Sequence, residues 1–327
     1  MKVSMTRTVP IAPPFDLELR MVLDVVSQSI PSTLSIEDLP ALRGPGFTPS
    51  LDELLARGDL THQELWIPSS SGTSELLLSV FRRKNSRVGG PGFFFTHVGG
   101  MIFGDRFVGV STIIDYVELL DATVVTVEYR LAPENPAPAA VDDSYAALVR
   151  TSAHAEELGF DPTQLIAVGA SAGGGLAAGI TLRARDQEGP QLAGQMLLYP
   201  MLDVRNESGS SHQIDGIGVW DRNSNDMGWN ASLGARRATD DVTPYESPSL
   251  AQDLSGLPPT YLEVGSAEVF RDETVAYASG IWAAAGVAEL HVWPGGYHLF
   301  ELLAPDAVLS RASRATRQAW VLRNFTG

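Results

Sequence analysis

One serine stands out for its neighbours. Gly169-Ala170-Ser171-Ala172-Gly173 follows the apolar run Leu165-Ile166-Ala167-Val168 and leads into Gly174-Gly175-Leu176. It is the one G-x-S-x-G match in the chain. A serine on a tight strand-to-helix turn lifts its hydroxyl above the sheet, and the flanking glycines leave room for crowded backbone. The free N–H groups at the helix start can receive developing negative charge. The arrangement suits nucleophilic attack on an acyl carbon. A dinucleotide-binding turn would need G-x-G-x-x-G with an acidic residue about 20 positions on. Here Ser171 occupies the turn, and Gly173 and Gly175 fall inside the predicted helix.

Such a serine needs a base and oxyanion donors. Phe93-Phe94-Phe95-Thr96-His97-Val98-Gly99-Gly100-Met101 reads as a short strand ending in a glycine pair. A glycine loop after a strand can bring backbone N–H groups against a substrate oxygen, as HGGG-type loops do. Of six histidines, three follow Ser171. His212 lies in a polar stretch and His291 inside a predicted strand. His298 follows that strand in a glycine-rich loop, at the edge where catalytic groups collect, so it is the expected base. His62, His97 and His154 precede the serine and read as structural or surface residues, with His97 part of the glycine loop. The acid should follow strand 260–264, where Glu263, Glu268 and Asp272 all qualify; Glu263 lies within the strand.

In combination these motifs resemble the hormone-sensitive-lipase-like family of bacterial and fungal esterases. The resemblance runs from about Leu76 to His298. Tyr129-Arg130-Leu131-Ala132-Pro133-Glu134 carries much of it, with Arg271-Asp272-Glu273 and Gly295-Gly296-Tyr297-His298. It implies an α/β-hydrolase fold with a helical cap built from the N-terminal helices and an insertion after the sixth strand. It implies Gly99, Gly100 and Ala172 as oxyanion donors. Aligning Arg271-Asp272-Glu273 with the family's pattern puts Glu268 at the place of the acid, with Asp272 as the competing candidate. Glutamate can do that work, since the acid orients the imidazole and stabilises its cation. Four residues depart from the pattern: Val98 for the loop's first glycine, Ala170 for aspartate, Glu268 for aspartate and Leu299 for glycine.

The elements must position these groups. Predicted strands fall at 62–68, 74–82, 93–96, 122–127, 165–169, 195–199, 260–264 and 288–293. Predicted helices fall at 138–158, 173–185, 273–285 and 306–324, and apolar residues recur at near-helical spacing over 15–30 until Pro31. Asp142 and Asp143 near the start of one helix suit its dipole. The alternation predicts a mostly parallel sheet with helices on both faces and an antiparallel start. The expected organisation is a cap segment over 1–60, a catalytic core over 61–202 and 251–327, and a cap or lid insertion over 203–250. Val98, Met101, Trp220, Met227, Trp229 and Leu299 are the candidate substrate contacts.

Composition narrows the partners. The formal net charge of −16 argues against nucleic acid and anionic membrane surfaces. Without cysteine there is no disulfide or thiolate. Residues 1–20 hold no apolar run suited to a signal peptide, and no stretch is long enough to span a membrane. A cytoplasmic enzyme is expected, needing neither metal nor cofactor, and a homodimer is compatible with the sequence. Sequons at Asn206, Asn230 and Asn324 then read as chance matches. The expected activity is hydrolysis of a small to medium apolar or aromatic carboxylic ester. A lactonase needs the same machinery. A silent ligand-binding receptor on this fold is the alternative from another class, and retention of both Ser171 and His298 argues against it.

Overall fold

The computed structural model describes residues 10–325 except 45, 47, 70, 73, 74 and 88. Ser74, at the start of a predicted strand, lies outside the described residues. Eight strands form one sheet in the order β1-β2-β4-β3-β5-β6-β7-β8. They are β1 Leu60–Pro68, β2 Glu75–Arg83, β3 Gly90–Thr96, β4 Thr123–Val127, β5 Phe160–Ala170, β6 Gly194–Leu198, β7 Thr260–Gly265 and β8 Ala288–Trp293. β2 pairs antiparallel with β1 and with β4, and every other pairing is parallel.

The physical reason lies in the strand sequences. β4 reads Thr-Val-Val-Thr-Val and is buried at every position. Phe93, Phe94 and Phe95 of β3 are all fully buried. Unbroken apolar, β-branched or aromatic runs fit strands covered on both faces. Each buried phenylalanine contributes roughly 1.5–3 kcal/mol.

The helices are α1 Leu17–Val26, α2 Leu39–Leu42, α3 Leu51–Leu55, α4 Tyr116–Leu120, α5 Ala139–Ala153, α6 Ala155–Leu158, α7 Ala172–Asp186, α8 Gly209–Gln213, α9 Arg222–Leu233, α10 Arg271–Ala283, α11 Phe300–Leu303 and α12 Val308–Phe325. No helix among the described residues is long and apolar enough to cross a membrane. The helix expected over 138–158 breaks at His154, whose φ of −117° leaves the helical range. The turn buries Ala155 and Leu158. Asp143 does not serve the helix dipole; it is fully buried and binds Arg130 at 2.7 Å, while Asp142 binds Arg183 at 2.6 Å.

One arginine bolts the N-terminal segment to the core. Arg43, just after α2, donates through Nε to Ile102 O at 2.8 Å and through Nη2 to Ala132 O at 2.7 Å. Its Nη1 and Nη2 also grip Glu134 in a two-point pair at 2.8 and 2.9 Å. The guanidinium fork suits this bidentate geometry. The N-terminal helices, the glycine loop and the Tyr129–Glu134 run are thus held at one point.

Candidate active site

Ser171 sits between β5 and α7 with φ +57° and ψ −125°. A non-glycine residue there stores on the order of 1–3 kcal/mol of strain. Close packing maintains it. A Cβ on Gly169 would lie 2.0 Å from Gly173 O, and one on Gly173 would lie 2.1 Å from Thr96 O. The turn is pinned by Ser171 N donating to Leu198 O and by Met201 N donating to Ser171 O, both at 2.9 Å.

The structure brings three distant residues into one chain of hydrogen bonds. Ser171 Oγ–H donates to His298 Nε2 at 2.9 Å, and His298 Nδ1–H donates to Glu268 Oε1 at 2.6 Å. All three are nearly excluded from solvent. Gly265 N–H donates to the second oxygen, Glu268 Oε2, at 3.1 Å. The rings of Tyr199 and Phe270 meet His298 edge-on, with centroids 5.1 and 5.2 Å away.

The competing residues are engaged elsewhere. Asp272 accepts from Ser210 N at 2.7 Å and from Arg271 Nε at 2.7 Å, tying α10 to α8. Glu263 accepts from Ser313 Oγ, Tyr261 Oη and Trp293 Nε1 and pairs with buried Arg317. His291 binds Glu289, and His212 contacts Glu207 and Arg222.

In the glycine loop, which lines the same cavity as Ser171, Gly99 and Gly100 have φ of +126° and +61°. A Cβ on Gly99 would lie 2.0 Å from Phe103 O, so this turn admits only glycine. Ala172 is the first residue of α7, where helix N–H groups lack partners within the helix. None of these three N–H groups donates in a turn or loop hydrogen bond among the described residues.

Residues 93–302 match the family described as alpha/beta hydrolase fold. The chain belongs to that family. It is a carboxylic-ester hydrolase of the hormone-sensitive-lipase-like branch, as its relatives indicate. Carboxylesterase NlhH of Mycobacterium tuberculosis is 31% identical over 308 residues, 93% of this chain and 95% of that protein. Esterase LipI of the same organism is 34% identical over 210 residues, 62% of each chain. The solved structure of a bacterial heroin esterase superposes with a TM-score of 0.86 at 34% identity, covering 95% of this chain and 98% of that one. These matches are to esterases and give the silent-receptor alternative no support.

The esterase's Ser171 and His298 open into a cavity of about 310 Å³. Its walls include Ile30, Leu34, Leu42 and Pro49 before the core, Val98, Gly99 and Gly100 of the glycine loop, Val108 and Ser111 after it, and Trp220 of the 203–250 insertion. Leu299, Leu302 and Leu303 close it behind the histidine. His298 aside, no lining side chain among the described residues is acidic or basic. Of the expected substrate contacts, Val98, Trp220 and Leu299 line this cavity; Met101, Met227 and Trp229 do not. Met101 and Trp229 instead face a separate small void with Ala137 and Leu176, and Met227 packs against the core. The N-terminal cap is expected from the sequence, but its individual wall residues are not legible there, nor are Ser111, Tyr199 and Phe270, because lone apolar, aromatic or hydroxyl residues carry no positional signal.

Leu299 has φ +64°. Glycine, usual in the family here, adopts that conformation freely, whereas leucine costs about 1–2 kcal/mol. Its side chain forms cavity wall instead.

Val98 is nearly buried, and its Cγ1 lies 3.4 Å from where a Cβ on Gly109 would stand. It narrows the cavity beside the glycine loop. Val98→Gly is expected to raise the kcat/KM ratio of bulky to acetyl p-nitrophenyl esters by roughly threefold to tenfold, since methylene-scale pocket changes act on that scale. Collapse of activity on all esters would instead give Val98 a positive role.

His97 is fully buried behind the loop. Its Nδ1–H donates to Val98 O at 2.7 Å, and its ring stacks on Tyr129 at 4.0 Å. Burial drives its pKa from 6.5 down to about 4, against smaller opposing effects of the Val98 bond and Asp105. A base whose folded pKa is depressed adds stability above its unfolded pKa and loses it as pH falls through the folded one. The neutral imidazole therefore stabilises the fold above about pH 6.5, and that contribution fades towards pH 4. His97→Asn keeps a donor for Val98 O but cannot titrate. Between pH 7 and pH 5 its unfolding free energy should fall by about 2 kcal/mol less than the wild type's. Denaturant titrations at both pH values check this, and identical drops would remove His97 from the account.

Proposed function

We propose that Ser171, His298 and Glu268 hydrolyse uncharged esters of small to medium size, apolar or aromatic on at least one side, through an acyl-enzyme. The reading rests on the unbroken run of hydrogen bonds from Ser171 through His298 to Glu268 at 2.9 and 2.6 Å, at the floor of the apolar cavity. Ser171 Oγ attacks the carbonyl carbon while His298 Nε2 takes its proton. Glu268 stabilises the imidazolium. The N–H groups of Gly99, Gly100 and Ala172 hold the oxyanion. His298 then protonates the departing alcohol, and water repeats the sequence to free the acid and Ser171.

The segments 1–60 and 203–250 act in this reading as a cap, a role supported by Ile30, Leu34, Leu42 and Pro49 of the first and Trp220 of the second on the cavity wall. A charged ester would lose its water without gaining a counter-ion. A cytoplasmic setting is part of the same reading, supported by a chain without cysteine. The test is a panel of p-nitrophenyl esters of increasing acyl length beside a panel of lactones. Turnover should be highest for short to medium uncharged esters. Opening of lactones with no turnover of open-chain esters would overturn this choice of substrate.

A further inference from the structure

Ser111 brings a second serine to the cavity wall. The segment Val110–Thr112 is a single helical turn entered through Gly109, whose φ of +82° sets its approach. Thr112 Oγ1–H is buried and donates to Gly109 O at 2.7 Å. Ser111, its neighbour, is half-buried and lines the cavity with Ser171 and His298. Its hydroxyl has no hydrogen-bond partner among the described residues.

The setting gives that hydroxyl weight. Gly109 abuts Val98, and Val98 precedes Gly99, so Ser111 stands on the wall that carries the glycine loop. Apart from Ser171 and His298, the other lining side chains among the described residues offer no accessible hydrogen-bonding group; the Trp220 indole N–H has no partner there but is buried out of reach. A substrate's second polar group entering this enclosure leaves water; with the Gly99 and Gly100 N–H groups taken by the oxyanion, Ser111 is the lining side chain placed to return a hydrogen bond. Sites built this way discriminate strongly between substrates that make the bond and analogues that cannot.

We infer that the esterase selects uncharged esters carrying one further hydrogen-bonding group, such as a hydroxyl, ketone or second ester carbonyl, placed to meet Ser111. The inference rests on the cavity being the ester site, as proposed above. A hydroxyl can donate or accept, so both donor and acceptor substituents qualify. A carboxylate or ammonium in that place would be stripped of water with no opposite charge to meet it.

The experiment uses matched pairs. Plain p-nitrophenyl butyrate and pentanoate are compared with their hydroxy and keto derivatives, and alkyl acetates with their hydroxyalkyl counterparts. For each pair the ratio of kcat/KM, polar to plain, is measured in wild type, Ser111→Ala and Ser111→Thr. The best-favoured polar pair should lose about tenfold of its ratio in Ser111→Ala, on the scale of one hydrogen bond. Ser111→Thr should restore most of it. Ratios unchanged in Ser111→Ala across the panel, or a uniform rate loss at constant ratio, overturn the inference while the ester-site reading stands. Wild type with no more turnover than Ser171→Ala on every pair overturns the ester-site reading and this inference with it.

Discussion

Ser171→Ala is expected to lower kcat on short p-nitrophenyl esters by roughly 10⁴- to 10⁶-fold, with residual activity left to the oxyanion donors and the cavity. The loss should be that large because no neighbour can replace the hydroxyl. Ser171 Oγ is the group within hydrogen-bond reach of His298 Nε2 at the cavity floor, and the next hydroxyl on the wall, Ser111, makes no such bond. The fold should survive. The variant deletes one oxygen and keeps the backbone pinned by Leu198 and Met201. Two readouts separate chemistry from structure. A fluorophosphonate probe should label wild type and leave Ser171→Ala unmodified, while the melting temperatures stay close. Equal turnover by the two proteins would falsify the nucleophile assignment.

Glu268→Gln is expected to cost about 10² to 10⁴ in kcat, against a few-fold for Asp272→Asn. The geometry explains the asymmetry. Glu268 uses both oxygens as acceptors, one for His298 Nδ1–H and one for Gly265 N–H. A glutamine has one oxygen. Aimed at His298, it turns its NH₂ against the Gly265 N–H. Aimed at Gly265, it presents an NH₂ to Nδ1. The imidazole then carries its proton on Nε2 and cannot accept from Ser171. Asp272 lies four residues on, in the first turn of α10, and its partners are Ser210 and Arg271. Asp272→Asn should therefore show as lost stability of about 1 kcal/mol in the α8–α10 contact. Steady-state kinetics of both variants decide the matter. A larger kcat loss in Asp272→Asn would transfer the role of the acid to that residue.

The two candidate acids also show where sequence reading runs out. They are four positions apart, both acidic, both after the same strand. Spacing along the chain separates them only through resemblance. In space the turn Gly265–Glu268 points one carboxylate at His298, while helix α10 carries the other towards the insertion. The tryptophans make the same point. Apolar residues in the insertion indicate a buried face, but burial against the core and burial at a cavity look alike in sequence. Trp220 faces the cavity, whereas Trp229 packs beside Met101 in a separate void. Asp143 looked like a dipole partner and is an ion-pair partner of Arg130, because the charge that answers it comes from thirteen residues away.

What the sequence determined by itself was local. The strand-elbow-helix around Ser171, the glycine loop, the order of strands and helices and the place of His298 after the last strand each follow from short runs whose backbone demands are specific. Crowded turns require glycine, two-sided strands require unbroken apolar runs, and both leave a mark in consecutive residues. Tertiary structure alone decided the rest. Arg43 meeting Ile102, Ala132 and Glu134, the particular N-terminal residues that wall the cavity, and the place of Ser111 beside them depend on segments distant in sequence. Their side chains are ordinary where they stand, and only close packing across the fold gives each its neighbour.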